Sequence, residues 1–154
     1  MAEKTSLRKL ELVDMPAAAA VHRASFNERL PTLAGLHTSD EDVGFWRAVV
    51  FKDCQIWGAE EDGRLVGVIA FLEDWIDQLY VLPEAQGRGV GTRLLEVAKS
   101  AYPSLSLWTF QRNLSARRFY EKHGFLVVDE SDGAGNEEKE PDVLYKWEAR
   151  LHRL

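Results

Sequence analysis

Cysteine is nearly absent from this sequence, since Cys54 is the only one among 154 residues. A single cysteine cannot form a disulfide within the chain, which excludes a disulfide-stapled scaffold and favours a reducing compartment. Cys54 lies in the segment DCQIWGA, whose apolar character is typical of a strand. We therefore expect a small buried hydrophobic side chain at this position rather than a nucleophile.

Long apolar runs and an excess of basic charge are also missing. No stretch approaches the run of about 18 apolar residues that a membrane span requires, and the segment MAEKTSLRKLELVD lacks the apolar centre of a signal peptide. The formal net charge of -6 argues against a nucleic-acid-binding surface, which is normally basic. We expect a cytoplasmic protein that binds neither nucleic acid nor membranes.

The apolar patterning predicts a mixed α/β (α+β) fold. In chain order it indicates one strand, two helices, three strands, a helix, a strand, a helix and two strands, so the sheet has about seven strands. The first strand is expected within SLRKLELVD, Asp14 should cap the first helix, and Thr38 or Ser39 the second. Strands four and five should be parallel neighbours because a helix connects them, whereas most other pairs should be antiparallel.

A glycine-rich turn in LYVLPEAQGRGVGTRLL, residues 79–95, lies between a predicted strand and a predicted helix. A dinucleotide-binding turn would need glycine where Thr92 stands, and an acidic residue about 20 positions further on, which is missing. A P-loop would need a lysine directly after Gly91, and that position is also Thr92. Two interpretations remain: a turn that packs tightly for structural reasons, or backbone N–H groups that face a pyrophosphate at a helix start.

Two sequence motifs follow one another along the chain: residues 86–91 match Q/R-x-x-G-x-G/A, and NLSARRFYEKHGF from Asn113 to Phe125 matches N-x-x-A-x-x-F/L-Y-x-x-x-G-F. In this order they resemble the motifs of the GCN5-related N-acetyltransferase (GNAT) family, small prokaryotic type. The resemblance covers nearly the whole chain. It implies a single N-acetyltransferase domain over residues 1–154, with helices on both faces of the sheet and with strands four and five splayed apart.

The resemblance also implies acetyl-CoA as co-substrate, with no metal. It carries over a set of cofactor-binding residues from the fourth strand, the glycine loop and the start of the last helix: Leu79, Tyr80, Val81, Gln86, Gly87, Arg88, Gly89, Val90, Gly91, Thr92 and Asn113. The four histidines (His22, His37, His123 and His152) are scattered without metal-ligand spacing, and we interpret them as surface or helix-end residues.

The implied reaction is direct attack of a primary amine on the thioester through a tetrahedral intermediate. An alkylamine has a pKa of about 10.4, so forming its neutral form at pH 7 costs roughly 4.6 kcal/mol, and a base or a water relay matters. Glu73, Asp74 and Asp77 are the candidate bases, with Asp77 favoured because regular alternation puts it on the strand face of Leu79 and Val81; ordered water is the alternative. Tyr120 is the general acid that the resemblance implies.

The acceptor should be bound by the least regular segments, residues 26–46 and residues 131–142. Glu137, Glu138 and Asp142 could bring negative charge to a cationic amine of a small molecule or peptide, although a solvated acidic hairpin is the favoured explanation for them. The alternative function is a non-catalytic acyl-CoA-binding or interaction module on the same fold; Tyr120 favours the enzyme, because a binding module does not need it. A homodimer is compatible with the resemblance.

Overall fold

The computed structural model describes residues 5–149, and these contain a seven-stranded sheet. The strands are β1 (Thr5–Lys9), β2 (Gln55–Glu61), β3 (Arg64–Leu72), β4 (Trp75–Val81), β5 (Ser104–Phe110), β6 (Leu126–Ser131) and β7 (Asp142–Glu148). Their order across the sheet is β1-β2-β3-β4-β5-β7-β6. Neighbouring pairs are antiparallel except β4 and β5, which are parallel as predicted.

The described residues contain five α-helices. They are α1 (Met15–Arg29), α2 (Ser39–Phe45), α3 (Phe51–Asp53), α4 (Val90–Ala101) and α5 (Leu114–Lys122). Thr38 caps α2 in a capping box with Glu41, which confirms the predicted start. Asp14 occupies the N-cap position of α1, but its carboxylate binds the Arg8 guanidinium and the Glu11 N–H instead of the helix.

Two helical layers cover opposite faces of the sheet. Cross-strand partners point to the same face, so Gly67 and Val81 share one face, and Val68 and Tyr80 share the other. A Cβ on Gly67 would lie 3.0 Å from side chains of α4, whereas the ring of Tyr80 stacks on His22 of α1. β3, which is almost wholly buried, therefore forms the centre of the core between α1 and α4.

Three local features depart from the regular elements that the sequence predicts. β1 ends at Lys9, and the last predicted strand residues form a 3-10 turn (Leu12–Asp14). The second predicted helix contains a π-helical segment, Trp46–Val50, between α2 and α3. β4 contains a bulge, because Ala70 pairs with Gln78 while Phe71 pairs with Ile76, so that Asp77 has no cross-strand partner.

Candidate functional site

The parallel strands β4 and β5 meet at their beginnings and then diverge. Trp75 pairs with Ser106, and the Ser106 N–H donates to the Asp74 carbonyl at 2.8 Å. Beyond this point no further pair joins the two strands. A cavity of about 1080 Å³ opens between them, and it is lined by residues 76–81 of β4 and residues 107–110 of β5. The divergence confirms the splayed strands of the predicted fold.

Alternation along β4 decides which backbone groups face this gap. The Leu82 N–H donates to the Val66 carbonyl at 2.8 Å, which places Leu82 in a hydrogen-bonded pair with β3. In an antiparallel pair, successive residues alternate between those whose backbone N–H and C=O bond the partner strand and those whose groups point away from it. Tyr80, two residues before Leu82, must therefore also direct its N–H and C=O toward β3. The N–H groups of Leu79 and Val81 therefore point away from β3 and into the gap.

The glycine loop reaches the cavity at the start of α4. Gly87 and Gly89 have φ angles of +81° and +84°, in the left-handed region that favours glycine. Gly89 is the N-cap of α4, with no side-chain hydrogen bond to the helix, and a Cβ on either glycine would meet nothing within 4 Å. The first N–H groups of α4 thus have no partner within the helix, and they stand at its positive end. This arrangement suits a phosphate or pyrophosphate.

Side chains of the loop brace it against its neighbours. The Gln86 side-chain amide donates to the Val81 carbonyl at 2.9 Å, and its oxygen accepts a hydrogen bond from Arg29 of α1. Arg88 points to β2, where it donates to Glu61 at 2.9 Å, and it is not part of the cavity lining. Among the predicted loop residues, Gln86 therefore holds the loop on β4, and Arg88 ties it to the end of β2.

The cavity extends to a corner between α4 and α5 that contains Thr92, Lys122 and His123. The Thr92 hydroxyl lies 3.0 Å from the His123 Nε2, and Lys122 lines the same wall. Burial, then the nearby Lys99 and Lys122, lower the pKa of His123 below its ordinary value. Sequence reasoning assigned His123 to a helix end, and its place at the end of α5 agrees with that; its contact with Thr92 was not foreseen.

Helix α5 brings two of the predicted residues to the cavity wall. The Asn113 side-chain oxygen accepts the Ala116 N–H at 3.2 Å and caps the helix, which leaves its amide N–H2 as the group available to a ligand. Tyr120 lies two turns further on and is only 7% exposed, packed on the rings of Phe119 and Phe125. Burial raises the pKa of Tyr120 well above its ordinary value. The phenol is therefore a hydrogen-bond donor that releases its proton reluctantly.

Tyr80 occupies the site in a different way from the one that the sequence predicted. Its backbone is directed to β3, and its phenol ring lines the cavity, stacked on His22 at a centroid distance of 4.4 Å. His22 in turn accepts a hydrogen bond from the Trp46 indole at 3.0 Å. The expectation that His22 is a surface or helix-end residue was wrong. The only sequence signal was weak: His22 and Phe26 are four residues apart, which places both on one face of α1.

The three candidate bases differ in position. Asp77 is exposed at the β4 bulge, lines the cavity and accepts a hydrogen bond from the Gln78 side-chain amide at 2.9 Å. Glu73 and Asp74 precede β4 and lie outside the cavity lining. The bulge interrupts the regular alternation that we used to place Asp77 with Leu79 and Val81, so counting residues does not fix its face.

The other end of the cavity is formed by the segments predicted to bind the acceptor. Phe26, Leu36 and Phe45 supply apolar surface from α1, α2 and the loop between them, and Glu137 and Glu138 come from the β6–β7 connection. The two segments touch across the opening, where the His37 Nε2 lies 3.2 Å from a Glu137 oxygen. Asp142 lines the cavity too, but its carboxylate is bound by Ser131 and Asn136 and shapes the connection.

A buried ion pair stabilises the acceptor-side wall. The Arg23 guanidinium makes two hydrogen bonds of 2.8 Å to the Asp42 carboxylate, joining α1 to α2. The guanidinium holds the pKa of Asp42 below its ordinary value. This pair fixes the two helices that carry the apolar part of the cavity, and no local sequence pattern indicated it.

Cys54 lies outside this cavity, next to the end of α3. Burial, then the nearby Asp77 and Asp53, raise the pKa of its thiol to about 12. Since the thiolate is the nucleophilic form, this cysteine is unsuited to nucleophilic catalysis. Within residues 5–149 no cluster of three or more His, Cys, Asp or Glu side chains is arranged to hold a metal ion, and no helix there is long and apolar enough to cross a bilayer.

Comparison with known proteins shows that the chain is similar to N-acetyltransferases. Residues 52–127 match the acetyltransferase (GNAT) domain family. The chain is 34% identical over 122 residues to the peptidyl-lysine N-acetyltransferase YiaC of Escherichia coli, covering 70% of this chain and 84% of YiaC.

Two solved structures share the fold. The solution structure of apo YjaB from Escherichia coli has a TM-score of 0.79 at 24% identity, covering 96% of this chain and 99% of YjaB. The PaiA N-acetyltransferase of Thermoplasma acidophilum, crystallised in complex with coenzyme A, has a TM-score of 0.67 at 21% identity, covering 94% and 99% of the two chains.

Proposed function

The chain belongs to the GNAT family of acetyltransferases, and we propose that it transfers the acetyl group of acetyl-CoA to a primary amine of a small molecule or peptide. One observation supports this most strongly. A single cavity contains the N–H groups at the start of α4, the unpaired edge of β4, and the buried phenol of Tyr120. An anion site, a backbone donor and a proton donor are the parts that acetyl transfer from a thioester needs.

The cofactor loop suits the pyrophosphate of acetyl-CoA. The space beside Gly87 and Gly89, where a Cβ would meet no atom within 4 Å, allows an oxyanion to approach the backbone closely. The edge of β4 is suited to the pantetheine arm, because the outward amides of Leu79 and Val81 can pair with an extended amide chain. The Asn113 amide would contact the same arm from the other wall.

Transfer begins when the amine nitrogen attacks the thioester carbonyl carbon. The carbonyl oxygen gains negative charge, which the N–H of Leu79 or Val81 stabilises in the gap; such donors contribute about 3 kcal/mol. The C–S bond then breaks, and the sulfur leaves with the electron pair. Tyr120 donates a hydrogen bond to this thiolate. Because burial raises the pKa of Tyr120, full proton transfer to the sulfur is uphill, and the hydrogen bond is its main contribution.

The amine must lose a proton before it attacks. Asp77 is the one candidate base that lines the cavity, and we propose that it receives this proton directly or through water. Its exposure at the bulge favours the water-mediated route, since ordered water can reach the carboxylate from the open side.

The acceptor end favours a cationic amine carried by a peptide. Glu41, Glu137 and Glu138 line it beside apolar surface from α1 and α2, which suits the long apolar stem and charged end of a lysine side chain. The relative YiaC is named for peptidyl-lysine acetylation, which agrees with this choice.

Thermal unfolding with ligand tests the cofactor assignment. Acetyl-CoA at about 100 times its Kd should stabilise the protein by about 2.7 kcal/mol. NAD is the matched control, because it also carries a pyrophosphate and an adenosine but has no pantetheine arm, and it should stabilise the protein much less. Equal stabilisation by both ligands, or none by acetyl-CoA, would contradict the proposal.

A further inference from the structure

His22 is held in one orientation by three aromatic neighbours. Its ring stacks on Tyr80 with an interplanar angle of 20°, and it meets the rings of Phe26 and Trp46 edge-on at 6.0 and 5.9 Å. These contacts come from α1, from β4 and from the π-helical segment after α2. The imidazole therefore has little freedom to rotate within the cavity wall.

The contact with Trp46 fixes the tautomer of this imidazole. An indole N–H can only donate, so the His22 Nδ1, 3.0 Å away, must be the acceptor. The proton of the neutral ring then resides on Nε2. Burial, followed by the charge of Arg23, lowers the pKa of His22 to about 4, against a smaller opposing effect of Asp42. The ring is thus neutral at physiological pH, with its basic lone pair already engaged.

The Nε2–H group faces the cavity. No group in residues 5–149 accepts a hydrogen bond from it. It is nevertheless accessible, because the fully enclosed side-chain polar atoms without a partner in these residues are the Asn27 Oδ1 and the Trp57 Nε1. His22 also belongs to the cavity lining, beside Tyr80. A fixed, uncommitted donor therefore stands in the acceptor half of the site.

We propose that His22 positions the acceptor peptide by donating its Nε2–H to a carbonyl oxygen of that peptide, an inference that rests on the proposed N-acetyltransferase function. The group is unsuited to bind the amine itself, because an ammonium offers no lone pair, and a hydrogen bond to the neutral amine would occupy the lone pair that attacks the thioester. A carboxylate partner is disfavoured by the acidic residues Glu41, Glu137 and Glu138 around the same end of the cavity. A neutral carbonyl oxygen has lone pairs to accept the hydrogen bond and carries no net charge that the nearby carboxylates would repel. His22 is a positioning residue and takes no proton from the amine.

Nitrogen-15 NMR of the histidine side chains tests the tautomer without any turnover. From about pH 5.5 to 8, His22 should show the pattern of a neutral ring with the proton on Nε2, and a lysine peptide should shift that Nε2 resonance. A ring that titrates near its ordinary pKa, that carries its proton on Nδ1, or whose Nε2 resonance ignores the peptide would overturn the inference.

Kinetics with two acceptors test the role. His22→Phe retains an aromatic ring against Tyr80 but removes the donor, so we expect the KM for a lysine peptide to rise about tenfold with kcat nearly unchanged. The KM for n-butylamine, which has the amine and the stem but no carbonyl, should not change. His22→Gln, whose amide can donate from nearly the same place, should restore part of the lost affinity.

The two proposals fail in different ways. If the wild-type protein acetylates neither these acceptors nor any other amine, the proposed function is wrong, and the His22 inference is then decided by the peptide titration in the NMR experiment. If it acetylates both, and His22→Phe changes the two KM values equally or not at all, the His22 inference is wrong and the proposed function stands. An unchanged KM for acetyl-CoA and a cooperative thermal transition confirm that the variant is folded; its melting temperature should be lower, because the buried Trp46 indole N–H loses its acceptor.

Discussion

Trp75 and Ser106 form the one residue pair that joins β4 to β5, and the gap beyond them is where the site lies. A sheet normally satisfies its backbone groups strand by strand, so an unpaired edge inside a sheet leaves donors and acceptors without partners. The N–H groups of Leu79 and Val81 face the cavity in this way, while the Val81 carbonyl accepts the Gln86 side-chain amide. The opening is therefore part of the fold itself, and the Trp75–Ser106 pair determines where it begins.

The first prediction concerns the amide protons of β4. The N–H groups of Tyr80 and Leu82 are directed to β3, so they should exchange with solvent slowly, whereas those of Leu79 and Val81 should exchange faster. Acetyl-CoA should slow exchange at Leu79 and Val81 more than at Tyr80. Residue-resolved hydrogen exchange by NMR measures this, and uniform protection along β4 would contradict the assigned alternation.

A second prediction separates backbone strain from cofactor binding in the glycine loop. Gly89→Ala forces a Cβ onto a residue with φ of +84°, which should cost about 1–2 kcal/mol of stability. Gly35→Ala is a matched control, because Gly35 has φ of +90° and equally open surroundings but lies outside the cavity lining. Both variants should melt earlier, and only Gly89→Ala should lose stabilisation by acetyl-CoA. Full stabilisation of Gly89→Ala by acetyl-CoA, as in Gly35→Ala, would mean that the loop does not bind the cofactor.

A third prediction addresses Tyr120. Removing its hydroxyl in Tyr120→Phe should lower kcat about 100-fold while the KM for acetyl-CoA changes little, since the hydrogen bond strengthens as charge develops on sulfur. Tyr102→Phe, at the end of α4 and outside the cavity lining, should leave kcat unchanged. Steady-state rates of CoA release provide the comparison. A full rate in Tyr120→Phe would remove this residue from the mechanism.

The contact between His37 and Glu137 should depend on pH. The Glu137 carboxylate raises the pKa of His37 above its ordinary value of about 6.5. A raised pKa means that the stabilising effect is fully present below about pH 6.5 and is lost as the pH rises through the pKa of the folded protein. NMR titration should show a higher pKa in the wild type than in Glu137→Gln. Glu138→Gln, which alters the neighbouring carboxylate, should leave the His37 pKa unchanged.

Much of the fold was accessible from local signals. Thr38 has a side chain suited to a helix start and caps α2 as predicted, and Asn113, a residue type that favours the same position, caps α5. The two-residue turn at Asp62 and Gly63 has positive φ at both positions, which the Asp-Gly pair favours. A helix between β4 and β5 was enough to predict that they are parallel. These features depend on a few neighbouring residues, which is why the sequence reveals them.

The rest depends on contacts between distant segments. β7 lies between β5 and β6, a placement that strand patterns alone do not determine. The bulge at Asp77 arises from pairing with β3, and nothing in WIDQLYV indicates it. His22 became interpretable only when Trp46 and Tyr80, 24 and 58 positions away, were seen around it. When the role of a side chain depends on contacts with three separate elements, the residues next to it in the sequence do not reveal that role.

The most direct test of the central claim is release of free CoA thiol from acetyl-CoA in the presence of a panel of amines, with the acetylated product identified by mass spectrometry. The panel should include a lysine peptide, a polyamine and small amines such as n-butylamine. The account predicts amine-dependent thiol release by the wild-type protein, with a product acetylated on nitrogen, and a rate about 100-fold lower in Tyr120→Phe. Tight binding of acetyl-CoA with no turnover of any amine would contradict it and favour a non-catalytic acyl-CoA-binding module.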